Sequence, residues 1–189
     1  MRVMLVDDDL GRMALLRQAL AAHGDEVVAQ LGPADDLVGA VAHLQPDLIL
    51  IDVDSPARDT LESLGLISRD RPRPIVVFAS HSDSDMARRA MRAGVSAYVV
   101  DGMQPTRLKA VIDVAIARFD EHQALRRELA DTKSRLADRR DIDRAKGILM
   151  QRRGLSENDA YEQLRKMAMD RNVKLGDAAR SLLAVAELL

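Results

Sequence analysis

Short apolar runs alternate with longer amphipathic stretches over residues 1–118. Five runs read as strands, at 3–6, 27–29, 48–51, 75–78 and 97–100. Continuous apolar runs of this length are typical of strands buried on both faces of a sheet. A stretch with helical spacing follows each run, and we expect the second helix to begin at Pro33. Strands alternating with helices predict an α/β domain with a doubly wound, five-stranded parallel sheet.

The pattern changes after this domain, because residues 106–144 contain no glycine or proline. Within this stretch an apolar seam has the 4-3-4 spacing of a coiled coil, formed by Leu125, Leu129, Thr132 and Leu136. Charged residues flank the seam, which suits a helix that pairs with a copy of itself. We therefore predict a coiled-coil connector over 119–140 that mediates dimerisation. The alternative is a single solvated helix that lies on the first domain.

Residues 141–189 predict a small all-α module of three helices. The first continues the connector and ends at Gly154, Ser156 caps the second, and the third begins near Leu175. Apolar spacing predicts that Tyr161 and Val185 are buried in its core. A module of this size can form only a marginal core. Contact with the coiled coil or with a second copy of the chain would stabilise the module.

Composition indicates the class of protein and the cellular compartment to expect. The chain is 47% apolar, enough for a core, and has no cysteine. No apolar run reaches the roughly 20 residues that span a bilayer, so we expect a soluble cytoplasmic protein with no membrane partner. Residues 1–110 hold 12 basic and 16 acidic residues, whereas residues 139–180 hold 11 basic and 7 acidic. The basic end favours a polyanionic partner.

Carboxylates follow two of the predicted strands, where ligands bind in parallel sheets. Asp7 and Asp8 follow the first strand, Asp52 follows the third, and the hydroxyl of Ser80 follows the fourth. Oxygen ligands of this kind suit Mg²⁺. A carboxylate beside Mg²⁺ can accept a phosphoryl group, because the metal neutralises charge in the transition state. Asp9 is as well explained by a solvated loop.

These residues resemble the receiver domain of two-component response regulators, which has a flavodoxin-like fold. The resemblance covers residues 1–118 and is carried by residues 6–8, 52–56 and 79–80. It implies that Asp7, Asp8 and Asp52 bind the metal, that Asp52 is the phosphoacceptor, and that Ser80 is the switch hydroxyl.

One residue departs from the receiver pattern. The family has a lysine after the fifth strand, where this chain has Asp101. A negative charge at this switch position opposes phosphorylation, since like charges repel strongly in a partly desolvated pocket. Two interpretations stay open: either Asp52 is a working phosphosite, or the pocket is vestigial and the domain binds a protein partner.

The helical module carries more basic residues than one accidental patch explains, and they could follow a phosphate backbone. The candidate RNA contacts are Arg144, Lys146, Arg152, Arg153, Arg165, Lys166, Arg171, Lys174 and Arg180. Composition does not separate RNA from DNA. Residues 144–150, 160–161 and 171–175 resemble the ANTAR domain, which implies RNA binding in transcription antitermination, as a dimer on paired hairpin loops.

A receiver, a coiled coil and an ANTAR domain in this order resemble the AmiR/NasT regulators. The end of the fifth strand, 98–102, resembles the branch linked to nitrate and nitrite assimilation. That branch implies control by a sensor partner, a nitrate-binding NasS-like protein, which holds the regulator inactive. Two alternatives remain: a phosphorylation-activated regulator with the same RNA output, and a dimerising adaptor whose basic helices contact an acidic protein. The sequence shows no nucleophile–base pair, so we do not expect an enzyme.

Overall fold

The computed structural model describes residues 1–53, 56–81, 84–100 and 103–186 of the chain. They form two compact units, Met1–Gln123 and Ala124–Leu189, so the connector beyond residue 123 belongs with the helical module. The strands are β1 (Arg2–Asp7), β2 (Glu26–Leu31), β3 (Leu48–Val53), β4 (Ile75–Ala79) and β5 (Ala97–Val100). The helices are α1 (Leu10–Ala22), α2 (Leu37–Leu44), α3 (Arg58–Asp70), α4 (Ser84–Arg92), α5 (Pro105–Arg153), α6 (Glu157–Asp170) and α7 (Leu175–Ala186). None of the described helices is both long and apolar enough to cross a membrane.

The first unit is a parallel sheet with strand order β2-β1-β3-β4-β5, which confirms the predicted doubly wound fold. Successive residues of each strand face opposite sides of the sheet. Ile49 and Ile51 of β3 pack with α2, α3 and α4 on one side. Leu48 and Leu50 pack with α1 and the start of α5 on the other. Both faces are covered, which explains why the strands are continuous apolar runs.

The connections place the carboxyl ends of β1 and β3 side by side. Asp7 and Asp52 are partners in the parallel register of these strands. The chain leaves β1 for β2 on one side and reaches β3 on the other, so this point is the topological switch of the sheet. Crevices at such switch points are where open α/β sheets bind ligands.

Capping residues set the helix ends, and one prediction was wrong. Helix α2 begins at Leu37 and not at Pro33, because the Asp36 side chain accepts a hydrogen bond from the Gly39 N–H at 2.8 Å. Such a cap satisfies a backbone donor that the first turn leaves unpaired. Helix α5 runs without a break through the connector into the helical module, as predicted.

The second unit has a small core built mainly from alanine. Its fully buried residues are Ala145, Leu149, Ala160, Leu164, Ala168, Ala178 and Ala179. Gly154 ends α5 in the left-handed region, with φ of 65°, and Ser156 caps α6, both as predicted. Tyr161 is 39% exposed and Val185 is 59% exposed, so the prediction that both are buried was wrong. Both side chains lie at the border of the apolar stripe, where periodicity does not decide burial.

Helix α7 approaches α5 closely at Gly176, which is buried. A Cβ atom added there would overlap the carboxylate of Asp138. The same carboxylate accepts a hydrogen bond from Arg180 at 2.7 Å, and Arg180 also pairs with Asp141 and Asp177. The glycine therefore permits the approach, and the arginine ties the third helix of the module to α5.

Gly94→Ala is expected to lower the free energy of unfolding of the first unit by about 2–5 kcal/mol. Gly94 has φ of 93°, and a Cβ there would overlap the Ser68 side chain. Gly24→Ala is the matched control, since Gly24 has φ of 78° but no described atom within 4 Å of its added Cβ. Urea denaturation followed by circular dichroism measures both variants. Equal losses for the two glycines would contradict the proposed overlap.

Candidate functional site

The acidic edge of the sheet consists of Asp7, Asp8 and Asp52. Asp7 and Asp52 are 1% and 4% exposed, and the Asp8 side chain is 55% exposed. Asp7 is held in place, since its carboxylate accepts a hydrogen bond from the Asp9 N–H at 2.7 Å. Strand register alone brings Asp7 and Asp52 together, which is why their position in the sequence was informative.

Asp9 itself has a structural role, as its position at a loop suggested. Its carboxylate caps α1 by accepting hydrogen bonds from the N–H groups of Gly11 at 2.7 Å and Arg12 at 3.1 Å. The Arg12 and Gly11 hydrogen bonds lower the pKa of Asp9, because they stabilise its ionised form.

Arg12 is the site residue that sequence analysis missed. Its guanidinium lies among the three carboxylates, 3.0 Å from Asp7, 2.6 Å from Asp8 and 3.8 Å from Asp52. The hydrogen bond to Asp7, followed by the charges of Asp7 and Asp52, raises the pKa of Arg12 and keeps it a cation. The only signal in the sequence was a basic residue in the first turn after the acidic run.

The other predicted residues of the receiver pocket have different outcomes. Ser80 follows β4 and is half-buried, and its role as the switch hydroxyl stays a prediction. Asp101 lies outside the described residues, so its role as a switch residue stays a prediction. Within the described ranges, no group of three His, Asp or Glu side chains is arranged to hold a metal ion. The Mg²⁺ site therefore stays a prediction, and in this arrangement a guanidinium lies between the acids that would hold the ion.

The basic residues of the second unit fall into two groups. In the first group each side chain has a partner: Lys146 pairs with Asp143 and Glu157, Arg180 with three aspartates, and Arg165 with Glu162. Arg152 donates a hydrogen bond to the Ala186 carbonyl. The exposed side chains without an ion pair to any described residue are Arg144, Arg153, Lys166, Arg171 and Lys174.

Lys146 is the most enclosed of these cations, with a side chain 16% exposed. Its hydrogen bonds to Glu157 and then Asp143 raise its pKa. Together with Glu157, Asn158 and Tyr161 it lines a groove on the surface of the module. The exposed ring of Tyr161 beside a lysine gives this groove one apolar and one cationic wall.

The seam of the connector lies on the surface. Leu125, Leu129 and Leu136 are each more than half exposed, and Thr132 is exposed as well. All residues from 124 to 137 are exposed. An apolar stripe with this spacing and no described contact has the form of an unpaired coiled-coil face.

The strand order, the acidic edge and the half-buried Ser80 define the first unit as a receiver domain. A family model for the response regulator receiver domain matches residues 3–113, and a model for the ANTAR domain matches residues 130–183. The chain therefore belongs to the response regulators of the AmiR/NasT type, in which a receiver domain precedes an RNA-binding ANTAR domain. This is a family of regulators and not of enzymes.

Two similar proteins support this assignment, and a solved structure supports the fold. The transcriptional regulatory protein PdtaR of Mycobacterium tuberculosis is 34% identical over 96% of this chain and 89% of its own length. A nitrate regulatory protein of Klebsiella oxytoca is 39% identical over 42% of this chain and 20% of its own. A CheY-like receiver domain protein from Methanospirillum hungatei has a TM-score of 0.55 and 22% identity, over 65% of this chain and 96% of that chain. The last shows the fold alone.

Proposed function

We propose that this protein is a transcription antiterminator that binds paired hairpin loops in leader RNA as a dimer. The observation that carries the proposal is the set of exposed, unpaired basic side chains on the ANTAR domain. Positive side chains that are not neutralised within the protein are available to phosphates. Arg144, Arg153, Lys166, Arg171 and Lys174 are therefore the preferred phosphate contacts.

The groove beside Lys146 is the preferred site for a base. Single-stranded loops offer unstacked bases, which proteins hold by stacking on aromatic rings. Tyr161 is exposed in this groove, while Lys146 is fixed by two carboxylates. We assign Tyr161 to stacking on the base and Lys146 to a hydrogen bond with an edge of the same base. This role replaces the core position that the sequence predicted for Tyr161.

A second copy of the chain is the proposed partner of the exposed seam. The leucines recur at the spacing that two identical helices can share, and charges of both signs flank them. Pairing would present two ANTAR domains to two hairpins. Two weak contacts joined in this way bind far more tightly than either alone.

A sensor protein that binds the receiver domain is the proposed source of control. Two features favour partner control over phosphorylation: Asp101 replaces the expected lysine, and Arg12 already pairs with the acidic edge. The link to nitrate or nitrite assimilation, with a nitrate-binding sensor, is supported by the resemblance to the nitrate regulatory protein over part of the chain.

Replacing Arg144, Arg171 and Lys174 by glutamine is expected to weaken binding to leader RNA at least tenfold. Each lost phosphate contact should also reduce the slope of log affinity against log salt by about 0.7–0.9. The matched control replaces three exposed arginines of the receiver domain, Arg17, Arg89 and Arg92, which makes the same change in charge.

Gel shifts at several salt concentrations measure both triple variants. Equal affinities and equal slopes for the two would exclude these residues as the RNA surface. Steep salt dependence for an acidic protein partner, without any for RNA, would instead favour the adaptor alternative.

A further inference from the structure

The acidic edge of the receiver domain already holds a cation that belongs to the chain itself. One terminal nitrogen of Arg12 bonds to Asp7 at 3.0 Å and to Asp8 at 2.6 Å, and its Nε lies 3.4 Å from the second oxygen of Asp7. Asp52 lies 3.8 Å from the same Nε. The guanidinium is thus centred on the acids that would bind Mg²⁺ in a receiver domain.

A metal ion bound by the same carboxylates would compete with this guanidinium for their oxygens. Mg²⁺ binds oxygen at about 2.0–2.1 Å and requires near-octahedral geometry. The carboxylate oxygens that would approach it are turned instead toward the nitrogens of Arg12, at hydrogen-bond distances. Metal entry would therefore require Arg12 to leave, with the loss of its charge-assisted hydrogen bonds.

The backbone around Arg12 keeps the side chain in reach of the acids. Asp9 caps the first turn of α1 through the N–H groups of Gly11 and Arg12. The Asp9 N–H in turn bonds to Asp7. One capping residue therefore links the start of the arginine-bearing helix to the buried carboxylate, so the backbone of Arg12 is already placed beside the acids.

We propose that Arg12 is an intramolecular counter-ion that competes with divalent cations for Asp7, Asp8 and Asp52. The receiver domain then folds with one positive charge of its own among the three carboxylates, which partly offsets their repulsion without metal. Metal-dependent phosphorylation of Asp52 would require withdrawal of Arg12 first. This inference concerns the receiver domain alone and does not depend on RNA binding.

Full-length Arg12→Gln is expected to bind Mn²⁺, used as a probe for Mg²⁺, at least tenfold more tightly than the unmodified chain. Apparent affinity falls by the fraction of molecules in which the site is open, so an arginine bound in nine-tenths of them weakens metal binding about tenfold. Arg17→Gln is the matched control: Arg17 lies in the same helix, is exposed, and has no ion pair with a described residue. Paramagnetic broadening of amide signals near Asp7 and Asp52 measures the affinities.

Equal Mn²⁺ affinities for the unmodified chain and Arg12→Gln, including no binding by either, would overturn the proposal. A second measurement decides the case if Arg12→Gln does not fold. In the unmodified chain the Nε–H of Arg12 should exchange with solvent more slowly than that of Arg17, until Mn²⁺ is added to saturation. Exchange as fast as that of Arg17 before metal is added would overturn the proposal as well.

Discussion

A chain in which Leu125, Leu129 and Leu136 are replaced by glutamine should be monomeric and should bind a two-hairpin leader RNA at least about a hundredfold more weakly. The three leucines are 57%, 55% and 55% exposed, and none belongs to a hydrophobic core of the described residues. Glutamine forms helices about as well as leucine. The change therefore removes the apolar seam without removing the helix.

Two measurements separate the steps of this prediction. Light scattering gives the oligomeric state, and gel shifts with one and two hairpins give the affinities. The expected loss is confined to the two-hairpin RNA. The control variant carries Arg127→Ser and Asp131→Ser, which lie on the same helix outside the seam and leave the net charge unchanged. A dimer that persists in the leucine variant would exclude this seam as the interface.

Leu164→Ala is expected to unfold the ANTAR domain or to leave it with little stability. Leu164 is fully buried, and it is one of two leucines among seven buried core residues, of which the other five are alanines. Loss of a buried leucine side chain costs about 2–5 kcal/mol, because the cavity that remains is only partly filled. That range approaches the whole stability of a small domain.

Hydrogen exchange of the α6 and α7 amides measures the loss, while the amides of β3 and β4 report on the receiver domain. Met169→Ala is the matched control, since Met169 lies in the same helix and is 70% exposed. It should change stability by less than about 0.5 kcal/mol. A comparably small effect of Leu164→Ala would show that this core contributes little to the fold.

The receiver fold could be predicted because its strands are buried on both faces. Runs such as 48–51 contain only apolar residues, and their short length between polar or turn-forming residues favours buried strands. The start of α2 was missed because proline fits the first turn of a helix, yet Asp36 supplied the actual cap. The family resemblance, and not periodicity, supplied the RNA-binding function.

The acidic edge could be predicted in part. Asp7 and Asp52 follow strands, so topology brings them together. Arg12 was not predicted because a basic residue in an amphipathic helix is ordinarily solvated, and only three-dimensional structure shows which carboxylates it reaches. The prediction that Tyr161 is buried was wrong for a related reason. Apolar spacing shows which side of a helix faces a core, but it does not show how much of that side the neighbouring helix covers.

Helix α5 contributes residues to the cores of both domains. Leu108 and Ile112 pack in the receiver core near the start of this helix. Ala145 and Leu149 pack in the ANTAR core near its end. Between them, residues 124–137 are all exposed, so no buried face packs this part of the helix against the rest of the described chain. The packed ends nucleate the helix, so this segment only has to propagate it, but tertiary packing is what usually supplies most of the stability of a helix. If two chains pair along the seam as proposed, the paired leucines would supply the tertiary packing that this segment lacks within one chain, and pairing would stabilise the middle of α5.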